Sequence, residues 1–232
     1  MKLVLASGSA WRLELMHAAG IPCTAVPPAI REHDVAALDP VDLACTRALA
    51  KARDVGGRCG ADCWVIGADQ VVHLGGEVFG KPADDAEHLA MLRRLRGRTH
   101  QLVTGVALVV GALDASRGDP QAALSRGGTA SDGSNDVALG RPCPAERCLC
   151  EITRLTMRAD LTDDELRAYV ACGEARACGG GYMVERRGIQ LFERIDGDWT
   201  NVVGLPIIRL VGELRSLGWR PTFGSGGEAV AP

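Results

Sequence analysis

The chain has 232 residues, 47% of them hydrophobic and 24% charged, and a formal net charge of -3, which is the composition of a globular protein long enough for one domain or two small lobes. The slight acidity argues against a nucleic-acid partner, which calls for a basic excess, and no stretch approaches the ~18 consecutive apolar residues of a membrane helix. Nine Cys, an odd number, behind an apolar run too short for a secretory signal, read as reduced thiols in a cytoplasmic protein.

Residues 2–6 (KLVLA) form a short apolar run of strand type, broken by Ser7-Gly8-Ser9. A helical pattern follows with Leu15, Met16 and Ala19 on one face and Gly20 as its stop. Cys23 to Val26 reads as a second strand. Asp39-Pro40 is an N-cap followed by Pro at the first helical position, predicting a helix to about Val55. Trp64 to Ala68 is a third strand meeting Asp69-Gln70, and Val71 to Phe79 predicts a hairpin around Gly75-Gly76. A helix from about Asp84 to Leu95 and a strand from Leu102 to Val110 come next.

From Gly111 to about Cys143 the sequence turns to Gly, Ser, Ala, Asp and Pro without periodicity, a long loop or disordered insertion. Glu151 to Met157 alternates like a strand. Thr162-Asp163-Asp164-Glu165 is a capping box before a helix ending near Gly173. Gly188 to Ile195 reads as a further strand, and Leu205-Pro206 precedes an amphipathic helix with Ile207, Leu210, Val211 and Leu214 on one face. Alternating helices and strands define the α/β class. One domain is expected over 1–222, with a flexible insertion at about 111–146 and a disordered tail over 223–232.

Several residues suit chemistry. Ser7-Gly8-Ser9-Ala10-Trp11-Arg12 lies between a strand and a helix, so its small residues, the helix N-terminus and Arg12 could cradle a phosphate, or form an ordinary capped turn. It is not a P-loop, for it lacks G-K-[ST]. Asp69, at the end of a buried strand, suits a divalent cation or a proton from water, and equally a tight turn. Lys81, in Gly80-Lys81-Pro82, suits a phosphate or a plain turn. Glu32 and Lys51 read by default as solvated surface charge. His73, His88 and His100 have no ligand spacing. Cys143, Cys148 and Cys150 lack the paired C-x-x-C of a zinc site and have no His nearby.

Taken in order, these pieces resemble the Maf family of nucleotide pyrophosphatases. Ala6-Ser7-Gly8-Ser9-Ala10-Trp11-Arg12, Glu32, Lys51, Gly67-Ala68-Asp69-Gln70, Gly80-Lys81-Pro82, Thr104-Gly105-Val106-Ala107-Leu108 and Val203-Gly204-Leu205-Pro206 match its motifs over residues 2–110 and about 147–218. The resemblance implies a Maf-like (ITPase-like) mixed sheet flanked by helices, elongated with a central cleft. It also implies hydrolysis of a nucleoside triphosphate between its α and β phosphates. Glu32 and Asp69 would hold Mg²⁺ or Mn²⁺, Asp69 would accept the proton, and Ser7, Ser9, Arg12, Lys51 and Lys81 would bind phosphates.

Trp11, Gln70 and Glu185 match the branch associated with 7-methyl-GTP rather than the dTTP/UTP branch. A cationic base suits stacking on Trp11, and Glu185 suits guanine donors. Ala10 stands where the family has Pro, the connection after Val110 is longer, and Gly179-Gly180-Gly181 precedes Met183 where a Lys is expected. The rival readings are a dTTP/UTP enzyme of the same family and a nucleotide-binding regulator of cell division without catalysis. Homodimerisation is left open.

Overall fold

In the computed structural model, residues 2–32, 35, 37, 39–60, 62–110 and 146–223 are described. The expected insertion, apart from its last residue, and all but the first residue of the expected tail lie outside these. Strand β1 (Lys2–Ala6) leads to helix α1 (Ala10–Ala18), a short β2 (Thr24–Ala25) and helix α2 (Pro40–Gly56). Then come β3 (Cys63–Leu74), β4 (Glu77–Phe79), α3 (Asp85–Leu95), β5 (Thr99–Val110) and β6 (Glu146–Met157). Helix α4 (Asp163–Ala171), β7 (Phe192–Asp196), α5 (Trp199–Val203) and α6 (Ile207–Ser216) complete the chain.

The seven strands form one mixed sheet in the order β2-β1-β3-β5-β6-β7, with β4 beside β3. Strands β1 and β2, and β1 and β3, pair in parallel; the other pairs are antiparallel. Period-two alternation sends Leu3, Leu5, Ile66 and Ala68 to the face covered by α1 and α6. Val4, Ala6 and Val65 face α2 instead, against Ala48, Ala52 and Val55. A further cluster at the far end of the sheet packs α3 and α4 around Leu92, Leu95, Leu102, Leu155 and Leu166.

Several sequence expectations change. The strand ending at Ala68 and the hairpin beginning at Val71 are one continuous strand, β3, so Asp69 lies within a strand and not at its end. Strand pairing from Trp64 to His73 along β5 carries the backbone straight through the Asp69-Gln70 dipeptide. Gly188 to Ile195 begins as a 3-10 turn over Arg187–Leu191, and only Phe192–Asp196 pairs with β6. Helix α5, five residues capped by the Asp198 side chain, is too short for periodicity to reveal. Strand β6 starts at Glu146, before the alternation becomes legible. The caps at Asp39 and Thr162 are as expected, the second as a full capping box, and Asp84, read as the first residue of its helix, is its N-cap.

Helix α2 lies unusually close to the sheet. A Cβ on Gly67 would overlap the carbonyl oxygen of Ala48 and come 2.8 Å from the Ala52 nitrogen, and one on Gly105 would come within 2.5 Å of the Ala44 carbonyl. The helix backbone therefore rests directly on two glycines, with Ala44, Ala48 and Ala52 as its contact ridge. Gly67→Ala is expected to push α2 off the sheet and to cost about 1–3 kcal/mol, as overpacking does; the urea midpoint, compared with a surface control such as Gly212→Ala, checks it.

Candidate functional site

The same edge of β3 pairs with β1 over Cys63–Gly67 and with β4 over Val72–Leu74. Between these pairings, residues 68–71 have an uncovered edge. This notch is where the site lies, because there side chains from both faces of the sheet reach one space. Asp69 points to the α2 face and Gln70 to the opposite one. A cavity of about 230 Å³ opens there, bordered by Ser9, Trp11, Arg12, Glu32, Lys51, Asp69, Gln70, Lys81 and Glu185. Of the residues selected from sequence, Ser7 alone is missing from the wall. It is buried, and its Oγ accepts from the Ser9 N–H at 3.1 Å, so it shapes the loop from behind.

The close approach of α2 delivers Lys51, which is buried rather than solvated. Its ammonium lies 2.7 Å from Asp69 Oδ1 and 2.6 Å from Glu32 Oε1, and donates to the Ala68 carbonyl at 3.4 Å. Burial pushes the Asp69 carboxyl up from its ordinary value, and Lys51 and Arg12 oppose the shift while Glu32 adds to it. Burial acts on Glu32 in the same sense, but Lys51, Lys81 and Arg47 outweigh it and hold that carboxyl below the usual range. Asp69 Oδ2 is buried and accepts no hydrogen bond among the described residues.

Arg12 is less free than its place in the motif suggests. Its Nε donates to the Gly204 carbonyl at 2.8 Å and an Nη to the Ala68 carbonyl at 3.1 Å, tying α1 to β3 and to the Val203-Gly204-Leu205-Pro206 turn. Burial lowers its pKa, countered by Asp69 and Glu32, without threatening the charge of a guanidinium. Ser9 caps α1 through its own Oγ.

On the opposite face the Gln70 amide donates to Thr104 Oγ1 at 3.1 Å and to the Asn201 carbonyl at 2.7 Å. The backbone carbonyl can only accept, so the Gln70 nitrogen is turned inward and Oε1 is the atom left for the cavity. Glu185 is half-buried, and burial raises its carboxyl. Trp11 is 37% exposed, with the Arg186 guanidinium 5.0 Å from its ring centre.

The Gly-rich segment that departs from the family motif has a steric reason. A Cβ on Gly181 would come 2.6 Å from the His88 ring, and Gly180 has φ 77° and stands against Tyr182. The Gly180 N–H donates to the Gly80 carbonyl at 3.1 Å, binding this wall to the Lys81 turn. His88 and His100 are structural, bonded to the Gly181 carbonyl and the Tyr182 hydroxyl.

Sequence reading missed Arg47, Asn201 and Arg186. Arg47 stands four residues before Lys51, hence on the same helix face, and its guanidinium lies 3.9 Å from Asp69 Oδ2; that spacing was a usable signal. Asn201, fully buried on α5, donates to Thr153 Oγ1 and the Leu102 carbonyl while its carbonyl orients Gln70. Its role depends on a helix with no sequence signature. No helix among the described residues is long and apolar enough to cross a membrane.

A mixed α/β sheet with an acidic and basic cluster in a notch defines a small-ligand site facing anionic chemistry. The sequence matches the Maf-like protein family over residues 2–132 and 133–217, and the chain belongs to that family. It is 37% identical to the dTTP/UTP pyrophosphatase of Symbiobacterium thermophilum, across 97% of this chain and 98% of that protein. It is also 37% identical to the 7-methyl-GTP pyrophosphatase of Rhizobium etli, across 94% and 96%. The Staphylococcus aureus Ham1 protein aligns at a TM-score of 0.39 and 12% identity, over 68% of this chain and 73% of that one.

Lys51→Met removes the largest influence lowering the Asp69 carboxyl and leaves burial unopposed by its nearest cation. The Asp69 titration, followed by carboxyl-carbon NMR, is expected to move to higher pH; an unchanged or lower value would mean that Lys51 does not stabilise the carboxylate.

Proposed function

We propose that this Maf-family chain is a nucleoside triphosphate pyrophosphatase that hydrolyses the α–β phosphoanhydride to a nucleoside monophosphate and pyrophosphate, with 7-methyl-GTP preferred. It is a hydrolase of acid anhydrides. The observation that carries the reading is the meeting, in one notch, of the buried Asp69–Lys51 pair and Glu32 with Trp11, Gln70 and Glu185.

Asp69 is the proton acceptor. Its Oδ1 is held by Lys51, while Oδ2 accepts no hydrogen bond and faces Arg47 at 3.9 Å, which leaves it as the oxygen to take the proton. Arg12, Lys51 and Lys81 offset the charge that grows on the pyrophosphate leaving group. Because a base must be ionised to act, the raised Asp69 carboxyl places the acidic limb of activity above the ordinary aspartate value of ~3.9, with activity rising as pH increases through it.

Asp69 Oδ2, which accepts no hydrogen bond, and the half-exposed Glu32 carboxylate also fit Mg²⁺ or Mn²⁺. No group of three or more His, Cys, Asp or Glu suited to a metal occurs among the described residues, so such an ion would take two carboxylates and complete its shell from phosphates and water, as Mg²⁺ commonly does. When bound it would neutralise phosphate oxygens and orient the α-phosphorus.

For the base, Gln70 Oε1 and the Glu185 carboxylate are two acceptors, matching the N1–H and amino donors of guanine. A uracil or thymine edge offers one donor between two acceptors. Trp11 gives a face for a cationic ring. The second reading, dTTP or UTP, is favoured by the name of the Symbiobacterium relative and by Arg186, whose charge already covers Trp11 and must be displaced by a cationic base.

Pyrophosphate release is to be measured with Mg²⁺ or Mn²⁺ on 7-methyl-GTP, GTP, dTTP, UTP, CTP and ATP. The expected order puts 7-methyl-GTP well above dTTP and UTP; a pyrimidine preference keeps the reaction and removes the base assignment, and no turnover from folded protein supports binding without catalysis. Asp69→Asn is expected to lower kcat by about 10²–10⁴-fold while circular dichroism and the unfolding transition show a folded chain. A rate near wild type would take Asp69 out of the mechanism.

A further inference from the structure

Outside the cavity, three thiols converge on the α2 face of the sheet. Gly105, whose missing side chain lets α2 approach at Ala44 and Cys45, has its open face toward that helix, with the Cys45 nitrogen 2.6 Å from where a Cβ would stand. Cys150 is directly opposite Gly105 in the β5–β6 pairing, and Cys148 is opposite Ala107. Residues directly opposite one another, and residues two apart on a strand, share a face, so both β6 thiols point to the side where Cys45 arrives. Cys150 packs against Ala44 and its neighbours, which sets Cys45, the next residue on α2, on the face that carries both β6 thiols. All three are reduced; Cys148 is exposed, and Cys45 and Cys150 are half-buried.

We infer that Cys45, Cys148 and Cys150 form an oxidisable thiol site, in which hydrogen peroxide or a related two-electron oxidant joins α2 to β6 through a disulfide between Cys45 and one of the β6 thiols. The three-thiol arrangement supplies each part of that chemistry. The neighbouring Cys148 and Cys150 hold the Cys45 thiol below its ordinary value and favour its thiolate, while Cys45 in turn pushes the β6 thiols up so that they keep their protons.

The Cys45 sulfur attacks one peroxide oxygen, the O–O bond breaks, and Cys45 sulfenic acid and water result. A β6 sulfur then attacks the Cys45 sulfur, the S–O bond breaks, and its proton leaves with hydroxide as a second water. Two thiols lose two electrons, peroxide gains them, and the products are one disulfide and two waters. The remaining β6 thiol can exchange into the bond, so Cys148 and Cys150 alternate as partner.

The site is placed to be felt at the notch. Asp69, Gly105 and Cys150 form one cross-strand row, two strand spacings or about 10 Å long. Lys51 is six residues beyond Cys45 on α2, about 9 Å along the helix. A bond here fixes the helix whose cations hold Asp69.

The test uses the full chain, reduced, freed of reductant and treated with a small excess of hydrogen peroxide. Digestion without reductant and mass spectrometry are expected to show a peptide containing Cys45 linked to the one containing Cys148 and Cys150, reversed by dithiothreitol. The link should persist in Cys148→Ser and in Cys150→Ser and vanish in Cys45→Ser. The thermal midpoint of the oxidised wild type should rise by about 5–10 °C, because the closed loop spans roughly a hundred residues. Oxidation confined to other thiols such as the exposed Cys172, a Cys148–Cys150 bond that forms equally in Cys45→Ser, or thiols that stay reduced would overturn the inference. The wild-type cross-link map decides the matter even if a variant fails to fold.

Discussion

The contact of one helix backbone with two glycines governs the rest of this structure. With side chains at residues 67 and 105, α2 would ride farther from the sheet, and Lys51 would reach for Asp69 across a gap. Without them, an ammonium is buried between two carboxylates, where burial keeps the Asp69 carboxyl raised in spite of Lys51 while the surrounding cations hold Glu32 low. Such a cluster is held by geometry more than by net energy. Its worth lies in fixing where charge stands before a ligand arrives.

The notch is the second constraint, and it follows from strand lengths. Strand β1 stops at Ala6 and β4 starts pairing only at Val72, so β3 passes through a stretch with one bare edge. A strand normally sends alternate residues to separate compartments. Here the bare edge lets Asp69 on one side and Gln70 on the other serve the same volume, with Arg12 and Lys51 both meeting the Ala68 carbonyl from opposite faces. The charged side chains thus gather on the α2 side and the neutral amide of Gln70 on the side of α5.

Much of this was legible in the residues. Caps at Asp39 and Thr162 fixed helix starts because side-chain oxygens at those positions do one job. Eight of the nine wall residues selected from sequence came from short motifs flanked by Gly or Pro or from an ordered resemblance, while Glu185 was identified by matching a specificity position. What was not legible depended on long-range pairing. The continuity of β3 through Asp69-Gln70 is imposed by ten consecutive partners on β5, and local alternation says nothing of that. Burial of Lys51 could not be foreseen from a helix whose neighbouring positions are polar and apolar in mixture. The gathering of Cys45 with Cys148 and Cys150 crosses a hundred residues of chain.

The β5–β6 pairing has a consequence for how the gene can change. Val109 faces Glu146 across the ladder, so the chain leaves and re-enters the sheet at neighbouring points, four residues along the strand from Asp69 and five from Gln70, or roughly 13–17 Å. Closure entropy grows only with the logarithm of length, about 0.6 kcal/mol per doubling. A change in the length of chain between these two points therefore costs little closure entropy, and the same junction is a natural place to splice in a tag, a reporter or a short turn.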